Sequence, residues 1–210
     1  MPPTIGLVHG LGGTSATMQP LADLLVAAGH RVATVTLPGH GTVPEHLVDV
    51  TWHDWLVAVP DADVLVGQSL GAALSLAAAA QRSDVRAVVA INTPAPDPDA
   101  LEGLEWRHSR GHEWMEGPPL AEGEAGYDRL PLTSLVQMVE GVLATDLSAV
   151  AVPVLLVTGA LDDMVESHSA DVLADAIAGP VTRLVLPRSG HVATFGPDLA
   201  LLVDSITRLL

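Results

Sequence analysis

The first candidate for chemistry is a serine in the motif GQSLG at positions 67–71. The motif follows an apolar run at 64–66 and precedes an alanine-rich stretch, which predicts a strand, a tight turn and a helix. Glycines on both sides of a nucleophile allow such a turn, and the turn presents Ser69 at the carboxyl edge of a sheet. Ser69 is therefore the predicted nucleophile. The alternative is an ordinary serine that caps the helix.

A glycine-rich turn, HGLGGT at 9–14, follows the strand predicted at 4–8. A turn there can aim a backbone N–H at a developing oxyanion, so the N–H groups of Leu11 and Leu70 are the predicted donors. The same glycines could instead begin a dinucleotide fingerprint. That alternative fails because Ser15 stands where a third glycine or an alanine is needed, and because the next strand ends without a ribose-binding acid.

An acid and a base follow two later predicted strands. Asp162 follows the strand predicted at 154–158, and His191 follows the strand predicted at 182–186. Asp163 is adjacent, so only one of the two acids can face the histidine, and Asp162 is favoured over Asp163 or a solvated loop acid. In this arrangement Ser69 attacks a carbonyl, His191 takes its proton, and Asp162 fixes the imidazole tautomer.

The composition removes several other chemistries. The chain has no cysteine, and all nine of its basic residues are arginine, so thiolate catalysis, a Schiff-base lysine and a phosphate-loop lysine are excluded. His108 and His112 have a spacing that a metal site could use, but the order H-E-x-x-H is absent. The sequence therefore predicts no cofactor and no metal.

The chain is strongly acidic, with a formal net charge of -16 at pH 7. Such a charge repels phosphate backbones and anionic membrane surfaces, so neither nucleic acid nor a membrane is an expected partner. The chain enters its first strand without a basic and apolar leader, and its apolar runs are too short to span a bilayer. We expect a cytoplasmic protein. The sequence does not indicate an oligomeric state.

Short apolar runs alternate with alanine- and leucine-rich helical stretches along the chain, which is typical of an α/β fold. The runs are nearly continuous in apolar residues, which indicates burial on both faces of a parallel sheet. Strands are predicted at 4–8, 31–36, 63–66, 85–91, 154–158 and 182–186. Helices are predicted at about 18–28, 70–81, 170–178 and 197–209.

The segment from 93 to about 130 interrupts this alternation with proline, glycine and acidic residues. A long insertion between core strands is usually a lid or binding element, and a disordered surface loop is the alternative. Its apolar side chains favour packing against an acyl chain. The predicted substrate contacts in this insertion include Trp106, Trp114 and Met115. The chain of 210 residues is then one domain, 1–210, with a cap at about 93–130.

Several motifs together resemble the monoacylglycerol lipase and carboxylesterase branch of the bacterial α/β hydrolases. They are HGLGGT, LPGHGT, PEHL, TWHDW, GQSLGAAL, GALDDMV and SGHVAT, and they cover nearly the whole chain. The resemblance implies an α/β-hydrolase fold, the triad Ser69, Asp162 and His191, and the oxyanion donors named above. It also implies a cap that begins near Asn92, and it brings Asn92 and Glu124 into the predicted substrate contacts. Glu124 would contact a glycerol head group.

Two departures from this branch stand out. The chain starts at the strand before HGLGGT, so we expect the first antiparallel strands to be missing, which leaves about six parallel strands. The helix before the GQSLG strand is short, because only seven residues separate Trp55 from Asp63. Trp52 and Trp55, or a partner subunit, would fill the space that a longer helix usually covers.

The sequence thus predicts a serine hydrolase that cleaves neutral esters with short- to medium-length acyl chains, with monoacylglycerols as candidate substrates. A lactone, a thioester or an amide could be the substrate of the same triad, and acyl transfer could replace hydrolysis. A binding protein without activity on the same fold is the remaining alternative.

Overall fold

Six parallel strands form the main sheet of the computed structural model, which describes residues 3–117, 120 and 125–210. The order across this sheet is β2–β1–β3–β4–β7–β8, and β5 pairs with β6 in a separate antiparallel hairpin. The strands are β1 (Thr4–Val8), β2 (Arg31–Val35), β3 (Val64–Gln68), β4 (Ala87–Ile91), β5 (Trp114–Glu116), β6 (Arg129–Pro131), β7 (Val154–Gly159) and β8 (Val181–Leu186).

Seven α-helices accompany these strands within the described residues. They are α1 (Ser15–Ala27), α2 (Trp52–Val57), α3 (Leu70–Gln81), α4 (Pro98–Ser109), α5 (Leu132–Ala144), α6 (Ser169–Ala176) and α7 (Leu199–Leu209). None of the helices in this part of the chain combines the length and the apolar character that crossing a bilayer requires.

The sheet is buried on both faces because successive side chains of its central strands point to opposite sides. In β3, Val64 and Val66 pack on one side with α1 and α7, whereas Leu65 packs on the other side with α3. β4 and β7 alternate in the same way. This explains why their sequences are continuously apolar, and it confirms the predicted parallel sheet with helices on both faces.

The predicted elements agree with the structure to within a few residues. β1 and α3 have the predicted bounds, and β3 continues to Gln68, so that the first two residues of the GQSLG motif belong to the strand. The main sheet contains no antiparallel strand among the described residues.

The insertion between the neighbouring strands β4 and β7 is folded where the structure describes it. Helix α4 starts after Asp97, whose carboxylate accepts hydrogen bonds from the N–H groups of Asp99 and Ala100. The β5–β6 hairpin follows, and then α5, a helix that the sequence pattern did not predict. α4 packs against α5, so the insertion is larger than the predicted 93–130.

Two tryptophans fill the space beside the short helix α2. The side chain of Trp55 is fully buried, and its indole N–H donates to the carbonyl of Pro38 at 3.1 Å. The ring of Trp52 lies directly on α5 at Gly141, where a Cβ atom would come within 1.9 Å of the ring. The protein's own tryptophans therefore occupy this space, and Gly141 is the residue that allows α5 to approach.

Candidate active site

Ser69 lies in the turn between β3 and α3 with a backbone conformation that side-chain-bearing residues rarely adopt, at φ 54° and ψ -117°. The Ser69 N–H donates to the carbonyl of Ile91 at 2.9 Å, which ties the turn to the end of β4. The hydroxyl makes no capping hydrogen bond to the helix, although Ser69 precedes its first residue. The alternative of a simple helix-capping serine is therefore wrong, and the hydroxyl is left available for chemistry.

Both glycines of the GQSLG motif are required by close backbone contacts. A Cβ atom on Gly67 would lie 2.1 Å from the carbonyl oxygen of Gly71. A Cβ atom on Gly71 would lie 2.1 Å from the carbonyl oxygen of Val8, at the end of β1. These distances bring the start of α3 against the turn that follows β1.

The turn that follows β1 carries Leu11, whose N–H is one of the two predicted oxyanion donors. Leu11 lies between Gly10 and Gly12, and all three residues line the cavity that contains Ser69. Among the described residues, no acceptor takes the N–H of Leu11 or of Leu70, the first residue of α3. Both N–H groups thus remain available near the end of β1, where the contacts of Gly71 bring the two segments together.

Asp162 and His191 form a hydrogen-bonded pair at the ends of β7 and β8. The Nδ1 atom of His191 lies 3.0 Å from Oδ1 and 3.1 Å from Oδ2 of Asp162. Oδ1 also accepts hydrogen bonds from the N–H groups of Met164 and Val165. Burial raises the pKa of the Asp162 carboxyl, but the hydrogen bonds from His191 and the two N–H groups outweigh it and hold the pKa below its ordinary value. Asp163 is exposed and takes no part in this pair.

Three side chains hold the loop that carries His191. The amide of Asn92 donates to the carbonyls of Gly190 and His191 at 3.0 and 2.6 Å, and Gln68 donates to the same His191 carbonyl at 3.2 Å. The buried carboxylate of Asp198 accepts hydrogen bonds from the Ser189 hydroxyl and from the main chain of Arg188. The imidazole therefore projects from a loop that is fixed on both sides.

A cavity of about 100 Å³ lies over Ser69 and His191. Its described lining contains no carboxylate and no guanidinium. Apart from the glycines of the turn, most of the wall is apolar. The large apolar lining residues are Leu11, Leu120, Leu130, Leu135, Met138, Met164 and Val192. The arrangement can hold a small uncharged group against a serine hydroxyl and an imidazole.

A comparison with protein families identifies the fold. The model of the alpha/beta hydrolase family matches residues 7–201. The chain belongs to the α/β hydrolase family. It is 28% identical over 218 residues to the thermostable monoacylglycerol lipase of Bacillus sp. (strain H-257). This alignment covers 94% of this chain and 86% of that protein.

Solved structures lead to the same branch of α/β hydrolases. One, described with the metagenome-derived lipolytic enzymes LipS and LipT, has a TM-score of 0.86 at 26% identity and covers 98% of this chain and 92% of that one. The monoacylglycerol lipase of Paleococcus ferrophilus has a TM-score of 0.77 at 17% identity, which is a likeness of fold, and covers 99% of this chain and 95% of that one. The predicted membership of the monoacylglycerol lipase and esterase branch is confirmed.

The aromatic and methionine contacts predicted for the substrate of this α/β hydrolase lie elsewhere. Trp106 is 59% exposed on α4, a helix with no buried residue, and the Arg110 guanidinium covers its ring. Trp114 and Met115 belong to β5, and neither lines the Ser69 cavity. The prediction for these three residues is wrong because β6, the partner strand, contributes Leu130 to the cavity while β5 does not reach it.

Asn92 also differs from its prediction as a substrate contact. Its side chain is fully engaged with the main chain, because its amide donates to the loop of His191 and its carbonyl oxygen accepts the N–H of Gly159 at 2.7 Å. It is 2% exposed, does not line the Ser69 cavity, and has a positive φ of 47°. Asn92 is therefore placed to position the histidine loop. Glu124, the predicted head-group contact, lies outside the described residues.

Tyr127 connects the insertion to the core, which the sequence did not reveal. Its N–H donates to the carbonyl of Gly12, and its hydroxyl donates to the carbonyl of Gly39 at 2.9 Å while it accepts the N–H of Thr42. Its ring is stacked parallel to the buried imidazole of His40. One residue thus joins the insertion to the turn at 9–14 (the oxyanion turn) through its main chain, and to the loop after β2 through its side chain.

Two residues of the Ser69 cavity that were not predicted from the sequence come from α5. Leu135 and Met138 both lie on this helix and line the cavity. Their spacing, together with Leu132 and Val142, fits one face of a helix and could have revealed it. The metal site considered at His108 and His112 does not form on a helix face, because α4 ends at Ser109.

Proposed function

We propose that this α/β hydrolase cleaves neutral carboxylic esters with short- to medium-length acyl chains through an acyl-enzyme on Ser69. Monoacylglycerols are candidate substrates. One observation carries the proposal: His191, held by Asp162 at 3.0 Å, lines the same cavity as the strained and uncapped Ser69.

The reaction then follows from the roles of these three side chains. His191 takes the hydroxyl proton as Ser69 Oγ attacks the ester carbonyl, and it returns that proton to the departing alcohol. A water molecule, activated by His191 in the same way, attacks the acyl-enzyme, and the carboxylic acid leaves. Asp162 holds the imidazole through Nδ1 and stabilises its positive charge in both steps.

The N–H groups of Leu11 and Leu70 would stabilise the oxyanion of each tetrahedral intermediate. Two features support this role. Both N–H groups are unused by acceptors among the described residues, and Leu70 begins a twelve-residue helix whose positive dipole end faces the turn.

The uncharged lining supports a neutral substrate. A carboxylate or phosphate on the substrate would enter a cavity whose described wall offers no guanidinium, on a protein with a net charge of -16. Neutral acyl esters meet no such penalty.

Replacement of the nucleophile tests the proposal. We expect a fluorophosphonate probe to label the wild-type protein, and Ser69→Ala to lose both the labelling and the hydrolysis of 4-nitrophenyl butyrate, because the attacking oxygen is gone. Ser148→Ala, at an exposed serine outside the cavity, is the matched control and keeps both. Equal labelling of Ser69→Ala would remove Ser69 from the reaction.

The other acyl substrates are separated by direct competition. We expect a higher kcat/KM for a neutral ester than for a lactone, thioester or amide of similar acyl size. A protein that binds the ester without turnover would instead be a ligand-binding member of the fold.

A further inference from the structure

A second, larger apolar groove lies beside the Ser69 cavity. It has a volume of about 460 Å³ and runs between the start of the insertion, helix α5 and helix α6. Its apolar lining includes Pro94, Ala95, Ala100, Val139, Val142 and Val172. No role in the reaction described above requires this space.

Two methionines separate the groove from the Ser69 cavity. Among the described residues, Met138 and Met164 alone line both spaces. Met138 lies on α5, and Met164 follows Asp162 in the loop after β7 and is 52% exposed. Methionine side chains are unbranched and adapt to several shapes, so this partition can open without a change in the backbone.

The two volumes indicate what the partition does. The Ser69 cavity, at about 100 Å³, is smaller than the roughly 150 Å³ apolar cavity that accommodates one benzene molecule. An acyl chain of more than a few carbons would outgrow it. The groove directly behind Met138 and Met164 offers more than four times the volume of the Ser69 cavity.

We propose that Met138 and Met164 form a gate through which the acyl chain of a longer ester passes from Ser69 into the groove. The inference rests on the proposed ester hydrolysis and names its substrate class as neutral esters of unbranched acyl chains of medium length. The gate and the groove, and not the Ser69 cavity alone, then determine the chain-length preference.

The charges at the rim of the groove favour an uncharged chain end. Glu166 and His168 lie there as an exposed pair, with the imidazole nitrogen 3.0 Å from the carboxylate, and Asp97 lies at the start of α4. Two carboxylates at the rim oppose a chain that ends in a carboxylate. A methyl-terminated chain carries no charge for these carboxylates to repel.

Two valines on α5 allow a matched experiment. Val139 lines the groove, whereas Val136, also half-buried on the same helix, lines a different surface groove beside Val48 and Val50. The measurement is the ratio of kcat/KM for 4-nitrophenyl decanoate to that for 4-nitrophenyl acetate. We expect Val139→Phe to lower this ratio by about tenfold or more, because the added ring occupies the space of the chain. We expect Val136→Phe to keep the wild-type ratio.

Val172→Trp fills the same groove from α6, a position that is 39% exposed and tolerant of a larger side chain, and it should lower the ratio as well. The gate is wrong if Val139→Phe and Val172→Trp both keep the wild-type ratio, or if Val136→Phe lowers it equally. A wild-type protein that hydrolyses the acetate but not the decanoate would contradict the gate and leave the proposed ester hydrolysis intact. Failure on every ester would contradict the proposed function itself.

Discussion

Two buried histidines outside the proposed triad are kept uncharged by their surroundings. Burial lowers the pKa of His9 to about 3, with His40 nearby adding to the effect, and burial lowers the pKa of His40 to about 4. The bonds of His9 fit this state: Nδ1 donates to the Gly10 carbonyl, and Nε2 accepts the N–H of Leu37 at 3.0 Å. A proton on Nε2 would face that N–H, so the neutral ring holds the oxyanion turn.

A fall in stability with falling pH follows from these two histidines. Below about pH 6.5 the unfolded chain takes up a proton on each ring, whereas the folded chain does so only near the lowered pKa values. Each ring therefore removes about 2 kcal/mol from the free energy of unfolding between pH 7 and pH 5. In urea titrations at both pH values, we expect this fall to be smaller by that amount in His40→Asn than in the wild type.

His53 provides the control for this experiment, since it is an exposed histidine. We expect His53→Asn to show the same fall in stability as the wild type. An undiminished fall in His40→Asn would mean that other groups cause the pH dependence.

At the scale of elements, the turn between β3 and α3 depends on glycine for steric reasons. A methyl group on Gly67 would overlap the carbonyl of Gly71, so we expect Gly67→Ala to lower the free energy of unfolding by at least about 2 kcal/mol and to lose activity.

Gly103 lies inside α4 with no atom within 4 Å of an added Cβ. Gly103→Ala should therefore raise stability by about 0.5–1 kcal/mol, because alanine favours a helix.

Urea or thermal unfolding of the two alanine variants measures both effects. A Gly67→Ala variant as stable and active as the wild type would show that the turn can rearrange, and that the backbone strain at Ser69 is not imposed by its neighbours.

The strands of the main sheet and the three proposed catalytic residues could be predicted from the sequence because their signals are local. Each of Ser69, Asp162 and His191 follows a strand within a few residues, and the carboxyl ends of parallel strands meet at one edge of a sheet. The wall of the cavity could not be predicted in this way. Its position depends on tertiary contacts, such as Trp52 against Gly141, that bring α5 to the Ser69 cavity.

The error at Trp106, Trp114 and Met115 has the same origin. Large apolar side chains in an insertion predict burial against something apolar, but α4 is a mostly polar helix that buries none of its residues. The choice between β5 and β6 as the strand next to the cavity depends on how the hairpin packs, which composition does not contain. Asn92 was predicted as a substrate contact, and its positioning role gave no signal because that role depends on two loops distant in the sequence.

At the scale of the whole molecule, the net charge of -16 acts on any charged substrate before it reaches the cavity. The field of the protein repels anions over about one Debye length, which salt shortens. The discrimination between anionic and neutral esters should therefore depend on ionic strength, whereas the preference for a given acyl-chain length should not.

Two esters of similar size test this effect. At low salt we expect a kcat/KM for 4-nitrophenyl hemisuccinate about tenfold below that for 4-nitrophenyl butyrate, and we expect the gap to narrow as sodium chloride is added. The neutral butyrate is the internal reference and should change little. A gap that is independent of salt would assign the discrimination to the cavity wall instead of the overall charge.

The hydrogen bonds of Tyr127 bear on how this protein could be redesigned. Because one residue of the insertion holds both the oxyanion turn at Gly12 and the loop from Gly39 to Thr42, the cap is not an exchangeable module. A chimera that receives a relative's cap without this tyrosine would lose both hydroxyl hydrogen bonds to the loop from Gly39 to Thr42. Grafts should therefore keep the segment from 125 to 131 and replace only what precedes it.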